Sequence, residues 1–379
     1  MSNLIPTGRT DIEWRNESTQ KPPKAAVYPA EANADKILKA AYEHTATVWT
    51  GDFHNAKQVL AAMKKRVKRP SEKKRAGGGD AVAERSRNIQ TAFHAHRMKQ
   101  AQQSRILNML AVEIGAGFTL DIPRAPDVKA ALADVYGKPN DAPFLLPLNQ
   151  LLGFIGAHEW HKKGVEIPAL GGRIHVPFGV FSPLRGEYLD LIAAALAGSK
   201  FQTAFDIGTG SGIIAALLAK HGVPKITATD TNPRAVACAC ANFCRLDLDN
   251  IVIEKTDLFP AGCADLIVCN PPWLPAKPSS AVEAALYDPE SRMLEGFLNG
   301  AAAHLNDGGE VWLVMSDLAE HLHLREQDFL PQCFQTASLE IAEVLQTRPK
   351  HAKAADENDP LAFARGREVT SLYRLKKAV

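Results

Sequence analysis

The strongest constraint on this chain is a turn spaced by glycines between two apolar segments. Ala204–Ile207 reads as a short strand, Asp206-Ile-Gly208-Thr-Gly210-Ser-Gly212 turns the chain, and Ile213-Ile-Ala-Ala-Leu-Leu-Ala opens a helix at once. Glycines at a strand-to-helix turn allow positive φ and let a ligand approach the main chain closely. A dinucleotide fingerprint, G-x-G-x-x-G, would need a third glycine where this chain has Ile213. Here the glycines fall at every second position, and an acid, Asp206, lies two residues before the first. Helix and strand alternate around this turn. Helices are predicted at 187–197, 211–220, 233–245, 279–305 (with breaks) and 317–330, and strands at 225–229, 251–254, 264–269, 310–315, 338–346 and 368–375. Short apolar strands between helices predict a mostly parallel sheet covered on both faces.

With 379 residues the chain has room for about two domains at roughly 150 residues each. Hydrophobic residues make up 46% and charged residues 23%, so a sizeable core forms without disulfides, and whole-chain disorder is excluded. No apolar run approaches the ~18 residues of a membrane span, and the first residues lack an apolar signal core, so a cytoplasmic location is expected. Of the six cysteines, Cys238, Cys240 and Cys244 cluster with a spacing that fits no common zinc site. They are expected as small apolar residues of a buried helix in a reducing compartment. His158 and His161 are three apart, whereas the helical zinc motif needs four, so no metal is expected.

Residues 1–150 have a different texture. A proline-rich leader (1–30) precedes Ala- and Lys-rich stretches at 31–68 and 80–113, which predict a helical N-terminal domain, with Asp80 as an N-cap. Pro70 to Gly79 separates them as a flexible break. From 151 to 379 a hairpin at 165–178, turning at Gly171-Gly172, leads into the alternating pattern.

Two further acids end the second strand and follow the third: Asp230, 24 residues after Asp206, and Asp257, followed by Leu258. Asp230 alone could be the N-cap of the helix from Pro233, and Asp257 a turn acid. The fourth strand ends in Asn270-Pro271-Pro272-Trp273. Those residue types suit methylation of a planar nitrogen, whose lone pair is delocalised and which carries two N–H donors. The Asn270 side-chain oxygen can accept one and the Pro271 carbonyl the other, which favours a pyramidal nitrogen. Pro271 and Pro272 fix φ and so pre-position these acceptors. Trp273 can stack on a flat substrate, a role a phenylalanine would also fill.

Taken together, the glycine turn, the ordered acids and the N-P-P-aromatic tetrapeptide resemble the class I (Rossmann-like) S-adenosylmethionine-dependent methyltransferases. The resemblance implies a seven-stranded Rossmann-like sheet and S-adenosyl-L-methionine as cofactor. It implies cofactor contacts from Asp206, Gly208, Gly210 and Gly212, ribose contacts from Asp230, and adenine contacts from Asp257 and the Leu258 N–H. Residues from about 151 onward, including the hairpin linker, Gly179-Val-Phe-Ser-Pro183 and the end at 363–373, resemble the release-factor glutamine methyltransferases. In that family the tetrapeptide usually ends in tyrosine. Gly179-Val-Phe-Ser is also similar to small-domain methyltransferases that act on guanine in ribosomal RNA.

Residues 57–75 hold nine Lys or Arg and one acid, Glu72. Such a run can neutralise phosphates, or it can be a solvated helix end. It favours an exocyclic amino group of a nucleic-acid base, most readily RNA, as methyl acceptor. A glutamine amide in a translation-related protein is the alternative, and a non-catalytic, cofactor-bound scaffold is a third.

Overall fold

The computed structural model describes residues 3–8, 10–68, 89–183, 186–280, 282–349 and 361–378. The chain divides into two units, Met1–Arg87 with His94–Glu159, and Asn88–Phe93 with Trp160–Val379. Among the described residues no helix is long and apolar enough to cross a membrane.

The first unit is built on a sheet, where the sequence predicted helices. Its strands are β1 (Leu4–Pro6), β2 (Asp11–Trp14), β3 (Ala25–Val27), β4 (Thr45–Val48), β5 (Leu110–Ile114) and β6 (Phe144–Pro147), in the order β1-β2-β6-β5-β4-β3. The supposed helix at 31–68 is helix Ala34–Tyr42, then β4, then helix Phe53–Lys68. Strands of three to five residues are too short to show a period of two, and their partners lie far away in sequence: Glu13 pairs with Phe144 and Thr47 with Leu110. Lys57, Lys64, Lys65, Arg66 and Lys68 lie on the helix Phe53–Lys68, where Arg66 forms an ion pair with Asp35 at 2.9 Å. The rest of the basic run, the glycine break and Asp80 fall outside the described residues.

The second unit starts with the predicted hairpin, β7 (Val165–Ile167) and β8 (Gly172–Ile174). Its turn is a 3-10 turn at Pro168–Leu170 closed by Gly171 at φ +63°, so only the first glycine needs a left-handed backbone. The main sheet follows: β9 (Thr203–Ile207), β10 (Lys225–Thr229), β11 (Ile251–Glu254), β12 (Ala264–Cys269), β13 (Leu305–Ser316), β14 (Leu339–Thr347) and β15 (Thr370–Lys377). Its seven strands run in the order β11-β10-β9-β12-β13-β15-β14. The first five are parallel, while β15 is antiparallel to both β13 and β14.

Successive residues of these strands enter opposite cores, as the pleat requires. Ala204, Leu266, Val268, Trp312 and Val314 pack with the helices Glu187–Leu196, Ile213–Lys220 and Pro233–Arg245. Phe205, Ile207, Ile267, Cys269, Val311 and Leu313 pack with Arg292–Ala301 and Phe329–Thr336. The stretch 279–305, predicted with breaks, holds 3-10 turns at Val282–Ala285, Pro289–Ser291 and Ala302–His304 around one helix at Arg292–Ala301, whereas 317–330, predicted as one helix, contains only Leu318–His321 before the next helix at Phe329–Thr336. Of the three clustered cysteines only Cys238 is buried; Cys240 and Cys244 face solvent, because a helix with one apolar stripe cannot bury positions two apart.

Candidate active site

β9 and β12 are neighbours, with Ile207 paired to Cys269. The glycine turn and the tetrapeptide therefore leave adjacent strands at the same, carboxyl-terminal edge, where open parallel sheets bind ligands. Gly208, Gly210 and Gly212 all have positive φ, at +71°, +57° and +82°. Their reasons for being glycine differ. A Cβ on Gly208 would sit 2.6 Å from the Met293 methyl, and one on Gly212 would meet the Phe243 ring at 2.7 Å. No described residue lies within 4 Å of a Cβ placed on Gly210, so this residue borders open space.

Asp206 holds the turn in shape from below. Its Oδ2 accepts from the Thr209 hydroxyl at 2.6 Å and from the Ala215 N–H at 2.9 Å. Its Oδ1 is buried and has no hydrogen-bond partner among the described residues. Burial pushes this carboxyl up to about 6, against the opposing pull of the Thr209 and Ala215 hydrogen bonds.

Asp230 is tied to the same turn. Its Oδ2 accepts from Gly210 N–H at 2.9 Å and its Oδ1 from Asn232 N–H at 2.8 Å. The helix at Pro233–Arg245 is instead capped by Asn232, whose side chain accepts from Arg234 N–H at 3.0 Å. This rules out the N-cap reading of Asp230. Burial raises the Asp230 carboxyl, and its backbone hydrogen bonds pull the other way. Asp257 is exposed in the bend after β11. Leu258 beside it has φ +56°, and its carbonyl accepts from the Thr229 hydroxyl at 2.6 Å, which fastens this bend to the end of β10.

At the fourth strand end, Pro271 is buried, while Asn270, Pro272 and Trp273 are half-buried. The Trp273 indole Nε1 donates to Asn270 Oδ1 at 3.0 Å. Its ring packs against both cores. Tyr188, from the helix Glu187–Leu196, is 3% exposed and hydrogen-bonded to the Asn270 side chain. Burial raises its hydroxyl pKa, as does the negative charge of nearby Asp206. Behind the tetrapeptide lies the buried guanidinium of Arg325, which donates to the Trp273 carbonyl at 3.3 Å and to Ser291 Oγ at 3.2 Å.

The sequence-predicted residues thus gather along four neighbouring strand ends. Tyr188 and Arg325 were missed. Tyr188 sits in a helix whose apolar pattern marks it as core, and Arg325 lies between two short helices with no motif around it. Thr209 was missed too, although its place inside the glycine turn, three residues after Asp206, was a signal.

The residues present fit a cationic nucleotide-like cofactor. An orphaned buried carboxylate oxygen suits a positive charge, and an open left-handed glycine suits close main-chain contact.

Residues 173–343 match the methyltransferase small domain. A release factor glutamine methyltransferase of Cereibacter sphaeroides is 35% identical over 162 residues, covering 38% of this chain and 56% of the relative. A putative protein N5-glutamine methyltransferase of Methanocaldococcus jannaschii is 30% identical over 162 residues, covering 41% of this chain and 80% of the relative. The ribosomal RNA small subunit methyltransferase C of Erwinia tasmaniensis is 30% identical over 129 residues, 33% of this chain and 34% of the relative. The chain therefore spans little more than half the length of the first of these curated relatives.

Proposed function

The chain belongs to the methyltransferase small-domain family of S-adenosylmethionine-dependent enzymes, and from that premise we propose that it methylates the side-chain amide nitrogen of a glutamine in a translation-related protein. The observation that carries this reading is the Asn270 amide oxygen, followed by two prolines, at the strand end beside the glycine turn. Relatives named as glutamine methyltransferases support an amide over other planar nitrogens.

When bound, S-adenosyl-L-methionine supplies an electrophilic methyl group on a sulfonium sulfur. Asn270 Oδ1 and the Pro271 carbonyl accept the two N–H groups of the acceptor amide. Held this way, the nitrogen lone pair localises toward the methyl. With the methyl delivered to that nitrogen, one of the two N–H protons held by Asn270 and Pro271 would leave to solvent. Asp230 would accept the ribose hydroxyls through the lone pairs its backbone donors leave free. Asp257 and the Leu258 N–H would serve the adenine, and Gly208, Gly210 and Gly212 would let the main chain close in.

Asp206 gives this site a pH signature. A carboxyl with a pKa near 6 is partly protonated in the ligand-free protein at mildly acidic pH. A cationic cofactor binds better to the carboxylate than to the acid. Calorimetric affinity for S-adenosyl-L-methionine is therefore expected to rise by up to ~10-fold per pH unit as pH increases toward about 6, and then to level off. Asp206→Asn should flatten that dependence. The stability effect has the opposite sign: the folded state holds this proton more tightly than the unfolded chain, so without ligand stability falls as pH rises from 3.8 to about 6. A wild-type affinity that is constant across this range would remove Asp206 from the cofactor's surroundings.

The second reading, an exocyclic amine of an RNA base, is favoured by the basic end of the helix Phe53–Lys68. Tritiated S-adenosyl-L-methionine, the purified protein and an extract from cells lacking it distinguish the two. Label removed by protease and retained through nuclease supports the glutamine reading, and the converse supports RNA. Either acceptor places the reaction in the cytoplasm. An extract that takes up no label would favour a scaffold.

A further inference from the structure

The two ends of an asparagine amide are nearly the same in shape and opposite in hydrogen bonding. For a planar-nitrogen acceptor this matters more than anywhere else in the site. With the oxygen toward the substrate, Asn270 accepts an N–H. Rotated by half a turn, it would present its own NH2 to the substrate's NH2, donor against donor. Something must select the first orientation before the acceptor arrives.

We propose that Trp273 and Tyr188 are positioning residues that lock the rotation of the Asn270 amide, so that its oxygen meets the acceptor nitrogen. This inference rests on the planar-nitrogen reading given above. The indole Nε1–H is a donor and never an acceptor. At 3.0 Å from Asn270 it admits only the amide oxygen as partner. The carbonyl oxygen has two lone pairs, so one remains for the substrate. The buried Tyr188 hydroxyl holds the same amide from within the core. The indole itself has little room to swing: its ring is wedged against both cores, and its backbone carbonyl is held by the Arg325 guanidinium at 3.3 Å. Arg325 is in turn 3.5 Å from the Glu320 carboxylate and lies over the Phe329 ring at 5.2 Å.

Stacking alone and orientation make opposite predictions for one substitution. If Trp273 only offers a flat face, Trp273→Phe retains most activity. If its N–H orients Asn270, Trp273→Phe loses turnover although the flat face remains.

Both a spectroscopic and a kinetic measurement test this. The chain has five tryptophans, so a proton–nitrogen correlation spectrum should show five indole N–H resonances. Trp273→Phe removes one and identifies it, and the four that stay in place report an intact fold. In Asn270→Ala the identified resonance should move upfield, since its acceptor is gone. In the tritium assay with extract from cells lacking the protein, Trp273→Phe and Tyr188→Phe should each lower the rate at saturating extract by ~10- to 100-fold. The half-saturating extract concentration and the calorimetric cofactor affinity should stay within about twofold, because Trp273→Phe keeps a flat face and the Tyr188 hydroxyl faces Asn270 from within the core. Adding Trp273→Phe to Asn270→Ala should cost nothing further, the signature of two groups acting through one atom. An indole resonance indifferent to Asn270→Ala, or a Trp273→Phe enzyme at wild-type rate while Asn270→Ala is inactive, overturns the orienting role and leaves the planar-nitrogen reading standing. Wild-type turnover by Asn270→Ala would sink that reading itself.

Discussion

Asn270→Ala should cut methyl transfer by on the order of 10²–10³ while calorimetric affinity for S-adenosyl-L-methionine stays within about twofold. The separation follows from geometry. The main-chain and carboxylate groups proposed for the cofactor come from the ends of β9, β10 and β11, whereas Asn270 ends β12. Its removal takes away an acceptor whose hydrogen bond tightens as the substrate nitrogen becomes pyramidal. Such an interaction lowers the barrier more than it aids binding, so the rate falls and the half-saturating acceptor concentration changes little. The variant also strands the Trp273 indole N–H, which costs stability of ~1–3 kcal/mol if no water reaches it. Melting temperature should be recorded beside the rate, so that unfolding is not mistaken for lost chemistry.

Asp230→Ala is expected to act on the other ligand. Two effects combine. The ribose hydroxyls lose a charged acceptor, worth ~1.5–3 kcal/mol for each such hydrogen bond. The glycine turn also loses the carboxylate that holds Gly210 N–H at 2.9 Å, so a loop with three left-handed residues gains freedom it must give up again on binding. A loss of ~2–4 kcal/mol corresponds to cofactor affinity weakened roughly 30- to 700-fold. Asp230→Asn separates the two effects, because its oxygen can keep Gly210 in place while the charge is gone. Titration calorimetry showing unchanged affinity in Asp230→Ala would contradict its place in the cofactor site.

The sequence was most readable where each element carries its own punctuation. β10, β11, β12 and the helix Pro233–Arg245 were read to the residue, because Asp, Asn, Pro and Gly bracket short apolar runs there. Reading failed where pairing is decided at long range. β5 looked like the tail of a helix until its partner, more than thirty residues on at Phe144–Pro147, supplied a sheet edge. Within the site, the motif residues were legible because each is constrained by backbone or chemistry. Tyr188 was not, since a buried tyrosine that holds a neighbour looks in sequence like one that merely fills space. Arg325 poses the same problem, as its guanidinium is held by groups from three separate segments.

The placing of β15 between β13 and β14 bears on how the molecule comes into being. Among the described residues β14 pairs with β15 alone, yet it is translated before it. During synthesis β13 therefore waits with an open edge, and β14 emerges with no strand to join, until β15 threads between them. Nearly all residues proposed for the methyl-transfer pocket have left the ribosome by then, but the sheet that holds them closes only with this last insertion. Nascent chains stalled before Thr370 should be protease-sensitive and chaperone-bound, and the same chains released past Lys377 should not.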